Sequence, residues 1–270
     1  MTTVTTSPVV ARRAEAPRPF ALVRHSAALA RRSLIKTMRS PEQLLDVTLQ
    51  PVIFVVLFVY LLGGAVSGST HEYLQLLLPA IMVQTTMFGG MATGVNLNTD
   101  IGKGVFDRFR SLPIGRSAPL IGSVLGDLIR YVVAVVSLLV FGTLMGFRVE
   151  TGVLPALAAC LVAILFAFSV SWAFVLVGML VRTSGAVQGI GFLVMFPLTF
   201  GTSMIAPAET LPGWLRSWVE INPVTHVMNA SRGLMVGGPV AGPVAWTLAW
   251  SALFVAVFAP LAVYAYRRRA

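Results

Sequence analysis

The sequence predicts an all-α membrane protein with six transmembrane helices, an N-terminal amphipathic interface helix before them, and short extracellular helices between spans five and six. Three observations predict it. Hydrophobic residues make up 56% of the 270-residue chain and charged residues only 11%, where a soluble domain carries about a quarter charged. The mean hydropathy of +0.83 implies more apolar surface than one water-soluble core can absorb. The apolar residues also fall in runs of about twenty, the length at which a helix covers roughly 30 Å of hydrocarbon.

Residues 1–19 are mostly Thr, Ala, Pro, Val and Arg, without the apolar run of a cleavable signal, and read as a disordered cytoplasmic tail. The rest, 20–270, reads as one transmembrane domain. From Phe20 to Met38 the composition favours helix, and Arg24, Arg31, Arg32 and Lys36 supply positive charge, which suits a helix lying in the headgroup layer. Ser40-Pro41 ends it, because a residue before proline is pushed out of the helical region.

Six apolar spans follow at 47–66, 73–95, 128–147, 153–181, 186–205 and 244–266. Pro51 falls in the first turn of the first span, where a missing N–H costs little, and Pro197 predicts a kink inside the fifth. Residues 120–127 lead into the third span. Between spans five and six, 206–242 is too broken by Pro and Gly to cross. Within it Leu211, Trp214, Leu215, Trp218 and Val219 keep one helical face while Arg216, Ser217 and Glu220 take the other, which predicts an interfacial helix anchored by Trp214 and Trp218. Asn222-Pro223 ends that helix, and Val224, Val227, Met228, Ser231 and Met235 mark a second short one.

Six spans put both termini on one side. Sixteen of the twenty basic residues lie on that side, so the excess of positive charge places the termini in the cytoplasm. The net charge of +10 is thereby read as orientation rather than as a nucleic-acid surface. The polar stretch 98–117 is the longest break between spans on the cytoplasmic side. A mere spacer has no need to interleave apolar residues with charge, yet Val105, Phe106, Phe109 and Leu112 alternate here with Asp107, Arg108 and Arg110. Phe106 and Phe109, three apart, offer one aromatic edge to a groove on a cytoplasmic partner.

Catalytic signatures are missing from the sequence. Gly102-Lys103-Gly104 lacks the glycine spacing of a phosphate-cradling loop, and there is no His-Glu-x-x-His and no Gly-x-Ser-x-Gly. Cys160 is the sole cysteine, and His25, His71 and His226 are far apart, so no metal-ligand spacing arises. No span carries an ionisable group near its middle, where carriers driven by ion gradients usually place one, so the energy for uphill transport has to enter from outside the membrane. Asp127 and Arg130 form the nearest candidate pair. They read as an ion pair at the water boundary with Arg130 snorkelling, the alternative being a proton relay. Gln84, Thr85, Thr86 and Gln188 serve either a polar path or helix contacts, and four Gly-x-x-x-Gly matches fit close helix packing.

In this order the features resemble the membrane subunit of type 2 ABC exporters, particularly the daunorubicin-resistance-like group. The resemblance runs from Phe20 to Arg269 and rests on the six-span layout and on Gly104-Val-Phe-Asp-Arg-Phe-Arg-Ser-Leu-Pro113 after the second span. Leu211-Pro-Gly-Trp214, Asn222-Pro223 and Arg232-Gly-Leu add to it. Ile101-Gly102-Lys103 departs from the family, whose loop often has a glutamate and an arginine there. The resemblance implies a permease in the bacterial cytoplasmic membrane that binds no cofactor itself. It pairs with a second permease copy, identical or paralogous, and docks two cytoplasmic ATPase subunits that hold ATP and magnesium. Val105 to Arg110 and the interface helix with Arg24, Arg31 and Arg32 would face those subunits, and the cargo would be an amphipathic drug, antibiotic or lipid-like solute. The alternatives are export of a cell-envelope lipid or lipid-linked glycan, and an ion-gradient carrier.

Overall fold

The computed structural model describes residues 41–105, 118–204 and 211–269. The expected tail, the interface helix with Arg24, Arg31 and Arg32, and Phe106, Asp107, Arg108, Phe109 and Arg110 lie outside the described residues. All regular structure among the described residues is helical: α1 (Pro41–Ser67), α2 (Thr70–Gly102), α3 (Ala118–Leu144), α4 (Val153–Leu180), α5 (Ser184–Phe200), α6 (Gly213–Ile221), α7 (Pro223–Met235) and α8 (Ala241–Arg269). Local chemistry sets the boundaries. Gly68 turns the chain at φ +72°, and the Ser69 hydroxyl then caps α2 by accepting from Glu72 N–H at 3.1 Å. Thr183 starts α5 in the same way, accepting from Ala186 N–H at 3.3 Å.

Five helices, α1, α2, α3, α4 and α8, are long and apolar enough to cross a membrane. The expected fifth span is shorter than its sequence suggested. Instead of running to residue 205, α5 stops at Phe200 after 17 residues, about 25 Å of helix. Pro197 sits in its last turn rather than kinking its interior, and its carbonyl accepts from Gly201 N–H at 2.9 Å. The Asn222 amide then takes two of the final carbonyls, Leu198 O at 2.9 Å and Gly201 O at 2.8 Å. A side chain from a later element thus closes the helix.

The third span begins earlier than its hydropathy suggested. α3 is helical from Ala118 because Leu120 and Val124 join a small second core with Leu97, Trp172, Val175 and Met179. This extension changes the position of Asp127 and Arg130. Both are buried, at 6% and 8% exposure, in the first half of the apolar stretch Leu120–Leu144.

α2 is the hub of the bundle, packing on α1, α3, α4, α5 and α7. The share of its membrane-length stretch that is buried is 72%, against 11% to 44% for the other four long helices. It meets α4 backbone to backbone. A Cβ on Gly94 would stand 2.3 Å from Phe174 O, and one on Gly178 would stand 2.6 Å from Gly94 O. The sequence pair Gly90 and Gly94 therefore marks a packed seam, whereas Gly185 and Gly189 have nothing within 4 Å. At the end of that seam Asn98 donates from Nδ2 to Gly178 O and to Val181 O, both at 2.8 Å, filling the carbonyls that terminate α4.

Replacing Gly94 by leucine should overpack this seam and destabilise the bundle by about 1–3 kcal/mol, while Gly189→Leu should leave it unaffected. Thermal unfolding of the two variants in detergent, followed by size-exclusion chromatography, reads the difference; equal midpoints would refute the seam.

Candidate functional site

A cavity of about 420 Å³ lies between α1, α2, α3 and α5. That volume suits a drug-sized molecule rather than a few waters. Its walls follow from helical periodicity. On α2, Ile81, Gln84, Thr85 and Phe88 share one face. On α5, Val187, Gly191, Met195 and Thr199 form the buried stripe, and the adjacent stripe of Gln188, Phe192 and Phe196 covers the cavity. Gln50 and Phe54 of α1 and Arg130 and Tyr131 of α3 complete it.

Glycine shapes one wall. A Cβ on Gly89 would stand 2.8 Å from the Tyr131 ring, so only glycine lets that ring lie against α2. The Tyr131 hydroxyl is held 3.1 Å from Thr93 Oγ1, which fixes the ring. The Thr85 hydroxyl is spent within its own helix, donating to Ile81 O at 2.8 Å, and Thr86 does the same to Val83 O. The polar path suggested by those threonines therefore reduces to the amides of Gln84 and Gln188.

Arg130 is the cationic element. Its Nη1 stands 3.8 Å from Asp127 Oδ1, close enough for charge attraction but too far for a hydrogen bond. Its Nε has no hydrogen-bond partner among the described residues. A buried guanidinium is held in place by its neighbouring carboxylate, because removing either charge would leave the other uncompensated.

At the far end of α2 from Asn98, polar groups knit a cap. Asn222 accepts from Val224 N–H at 2.9 Å, so the residue that closes α5 also starts α7. The sequence reading saw Asn222-Pro223 only as the end of α6; the asparagine before a proline at the first helical position was the available signal for an N-cap. Arg232 donates to Leu76 O at 3.3 Å, to Ser203 O at 3.2 Å and to Asn229 Oδ1 at 3.4 Å, tying α7 to α2 and to the turn after α5. Burial pulls its pKa below the ordinary arginine value, to about 10, and it stays protonated at neutral pH. Glu150 N–H donates to Met235 O at 2.9 Å, and the Thr151 hydroxyl donates to Leu234 O.

The remaining sequence-predicted residues that are described do not line the cavity. Trp214 and Trp218 project from α6 at 75% and 45% exposure, and Arg216 pairs with Glu220 at 3.1 Å on the same short helix. Gly201 leaves room for the Trp218 indole, since a Cβ there would meet its Nε1 at 2.6 Å. Of the six loop residues singled out, Val105 alone is described. It is half-buried just past Gly104, whose φ of +67° turns the chain off the end of α2.

Residues 25–236 match the family model described as ABC-2 type transporter. Over 238 residues the chain is 42% identical to the daunorubicin resistance ABC transporter permease protein DrrB1 of Streptomyces coeruleorubidus, covering 88% of this chain and 84% of that protein. It is 28% identical over 220 residues to the probable doxorubicin resistance ABC transporter permease protein DrrC of Mycobacterium tuberculosis, covering 81% and 79%. The matched stretch takes in α1 to α7 and so every helix that walls the cavity. The chain belongs to the ABC-2 type transporter family, as a membrane permease rather than a catalytic subunit.

Proposed function

We propose that this chain is the permease of an ATP-driven exporter that moves an amphipathic drug, antibiotic or lipid-like solute outward across the bacterial cytoplasmic membrane. The observation that carries this reading is a drug-sized cavity, mostly apolar and aromatic with a few amides and one guanidinium, among helices long enough to span. The names of the relatives, daunorubicin and doxorubicin resistance permeases, support the choice of cargo. In this reading α5 is the sixth crossing. Its shortfall is met by local thinning of the bilayer or by the turn Gly201–Met204, and both termini stay cytoplasmic on the positive-inside argument.

The energy comes from two cytoplasmic ATPase subunits that hold ATP and magnesium, and a second permease copy, identical or paralogous, completes the assembly. The loop residues Val105, Phe106, Asp107, Arg108, Phe109 and Arg110 dock those subunits, with Arg24, Arg31 and Arg32 of the interface helix beside them. ATP closes the paired ATPases, and their better fit to the loop in one permease arrangement shifts the population toward it. Asn98 supports this route, since it ties the root of the loop to the end of α4. The exposed Trp214 and Trp218 suit an outer interface above the exit. Export of a cell-envelope lipid or lipid-linked glycan would use the same route with a different cargo.

One observation favours a second reading. The buried Asp127 and Arg130 lie inside the bundle, where a gradient-driven carrier would place ionisable groups. Family membership weighs against it.

Two measurements test these statements. Replacing Phe106, Asp107 and Phe109 by alanine should leave a folded permease in which cargo-stimulated ATP hydrolysis by the reconstituted complex falls at least about tenfold; unaltered stimulation would remove the loop from the coupling route. In proteoliposomes, export should persist when an ionophore collapses the proton gradient and stop when ATP is withheld. The opposite pattern would establish the carrier.

A further inference from the structure

We propose that the outward face of α8 is a docking surface for an anionic phospholipid, with the acyl chains along an apolar stripe and the phosphate at Arg268. α8 contributes no residue to the cavity, so this lipid is a bound component of the membrane and not cargo. The proposal rests on the export reading only in calling the leaflet at that end of α8 cytoplasmic.

Helical spacing builds the stripe. Trp246, Leu253, Val257, Leu261, Tyr264 and Arg268 recur at intervals of three, four and seven, which keeps them on one face, and all six are exposed. Thr247, Ser251, Ala262 and Tyr266 form the buried face instead. Of the five long helices α8 is the least covered by the rest of the bundle, with 11% of its membrane-length stretch buried. Trp246 and Tyr264 stand 18 residues apart, about 27 Å of helix, against roughly 30 Å of hydrocarbon in a bilayer. An aromatic ring at each end with aliphatic side chains between them matches a surface that meets lipid through its whole depth, the rings at headgroup level.

Charge selects the headgroup. The Arg268 guanidinium lies over the Tyr264 ring, 4.7 Å from its centroid. That contact uses the flat face of the guanidinium, and its N–H edge is the part that grips a phosphate with two parallel hydrogen bonds. Among the described residues no carboxylate pairs with Arg268. Arg267 and Arg269 flank it in the sequence and α8 carries no Asp or Glu, so the last turn brings three positive charges and no negative one of its own. A zwitterionic headgroup offers the same phosphate together with a cation that these arginines repel, which leaves the net negative lipid as the better fit. On the buried face Ala262 and Tyr266 pack with Leu97 and Met179, so the headgroup sits at the end of the bundle where Asn98 ties α2 to α4.

The test uses the intact permease with Cys160→Ser, so that Leu261→Cys on the stripe is the only thiol and takes a bimane fluorophore. The protein is placed in phosphatidylcholine nanodiscs doped with phosphatidylglycerol or phosphatidylcholine that carries a nitroxide at the same acyl carbon. Quenching of the fluorophore against the fraction of labelled lipid gives the relative affinity of the two lipids for this face. With the native arginines, phosphatidylglycerol should be preferred about fivefold or more. Arg268→Gln should cut that ratio by about half or more, and adding Arg267→Gln and Arg269→Gln should bring it to about one. Tyr264→Leu, which removes the ring beneath the guanidinium and keeps the stripe apolar, should lower the ratio while leaving quenching by phosphatidylcholine unchanged. Arg216→Gln, the same change of net charge placed on α6, should not alter it. Equal quenching by the two lipids with the native arginines, a ratio that survives the triple substitution, a ratio lowered as much by Arg216→Gln, or a face that neither lipid reaches because a second copy covers it would overturn the proposal. Displacement of the labelled lipid by dissolved glycerol phosphate would also overturn it, by making the occupant a soluble phosphate. Both leaflets of the disc hold the probe and no ATPase is present, so a preserved ratio in a permease that fails to export would refute the export reading and not this one.

Discussion

Hydrocarbon offers no partner to a polar group, and the rest of this structure depends on how the chain answers that constraint. The buried asparagines Asn98 and Asn222 both spend their amides on helix-terminal carbonyls, each side-chain nitrogen bridging two of them. Arg232 uses its guanidinium on carbonyls too, reaching Leu76 in the second turn of α2 and Ser203 in the turn after α5. These polar side chains fasten the bundle near its two ends, while the buried hydroxyls between them, such as Thr86 and Ser169, are spent on carbonyls of their own helices. That division explains why α2, fastened at one end through Asn98 and at the other through Arg232, can be the most buried helix without carrying charge in its core.

The exception is the cavity. Asp127 and Arg130 are buried within the apolar length of α3, where a charge pair costs more in lost hydration than its attraction returns unless further hydrogen bonds complete it. The two side chains stand 3.8 Å apart, and among the described residues Arg130 Nε has no acceptor. Unmade bonds are not confined to the cavity, since Thr225 and Ser231 of α7 also lack partners among the described residues; what sets Arg130 apart is a charge placed in the cavity wall.

Much of the architecture was legible in the sequence, because a membrane imposes its length and polarity on each span directly. The four spans now seen as α1, α2, α4 and α8 were found from runs of apolar residues, and the amphipathic spacing of α6 from its tryptophans. What escaped were features fixed by partners distant in sequence. The early start of α3 depends on Leu120 and Val124 meeting Trp172, Val175 and Met179, and the early end of α5 depends on Asn222 arriving 21 to 24 residues later. The cavity escaped for a related reason. Gln84 and Gln188 were noticed as polar residues inside spans, but nothing local shows that the Gln188, Phe192 and Phe196 stripe of α5 faces the same space as Phe88 and Arg130.

The geometry of α2 suggests how a push at the loop reaches the cavity. It is one helix of 33 residues, roughly 50 Å long. From the root of the loop it passes Asn98, the Gly94 seam with α4, the cavity face at Phe88 and Gln84, and the cap at Leu76 in turn. At Gly94 the backbones of α2 and α4 approach too closely to admit a side chain, since a Cβ on Gly94 would stand 2.3 Å from Phe174 O and one on Gly178 2.6 Å from Gly94 O. In the docking arrangement proposed above, a push at the loop would move α2 and α4 together against α1, α3 and α5. The walls of the cavity are divided along that line, with Phe88 and Gln84 on the moving pair and Arg130, Tyr131, Gln188 and Phe192 on the helices left behind. Such a motion would change the distance between the aromatic wall of α2 and the guanidinium of α3, and with it the width of the cavity.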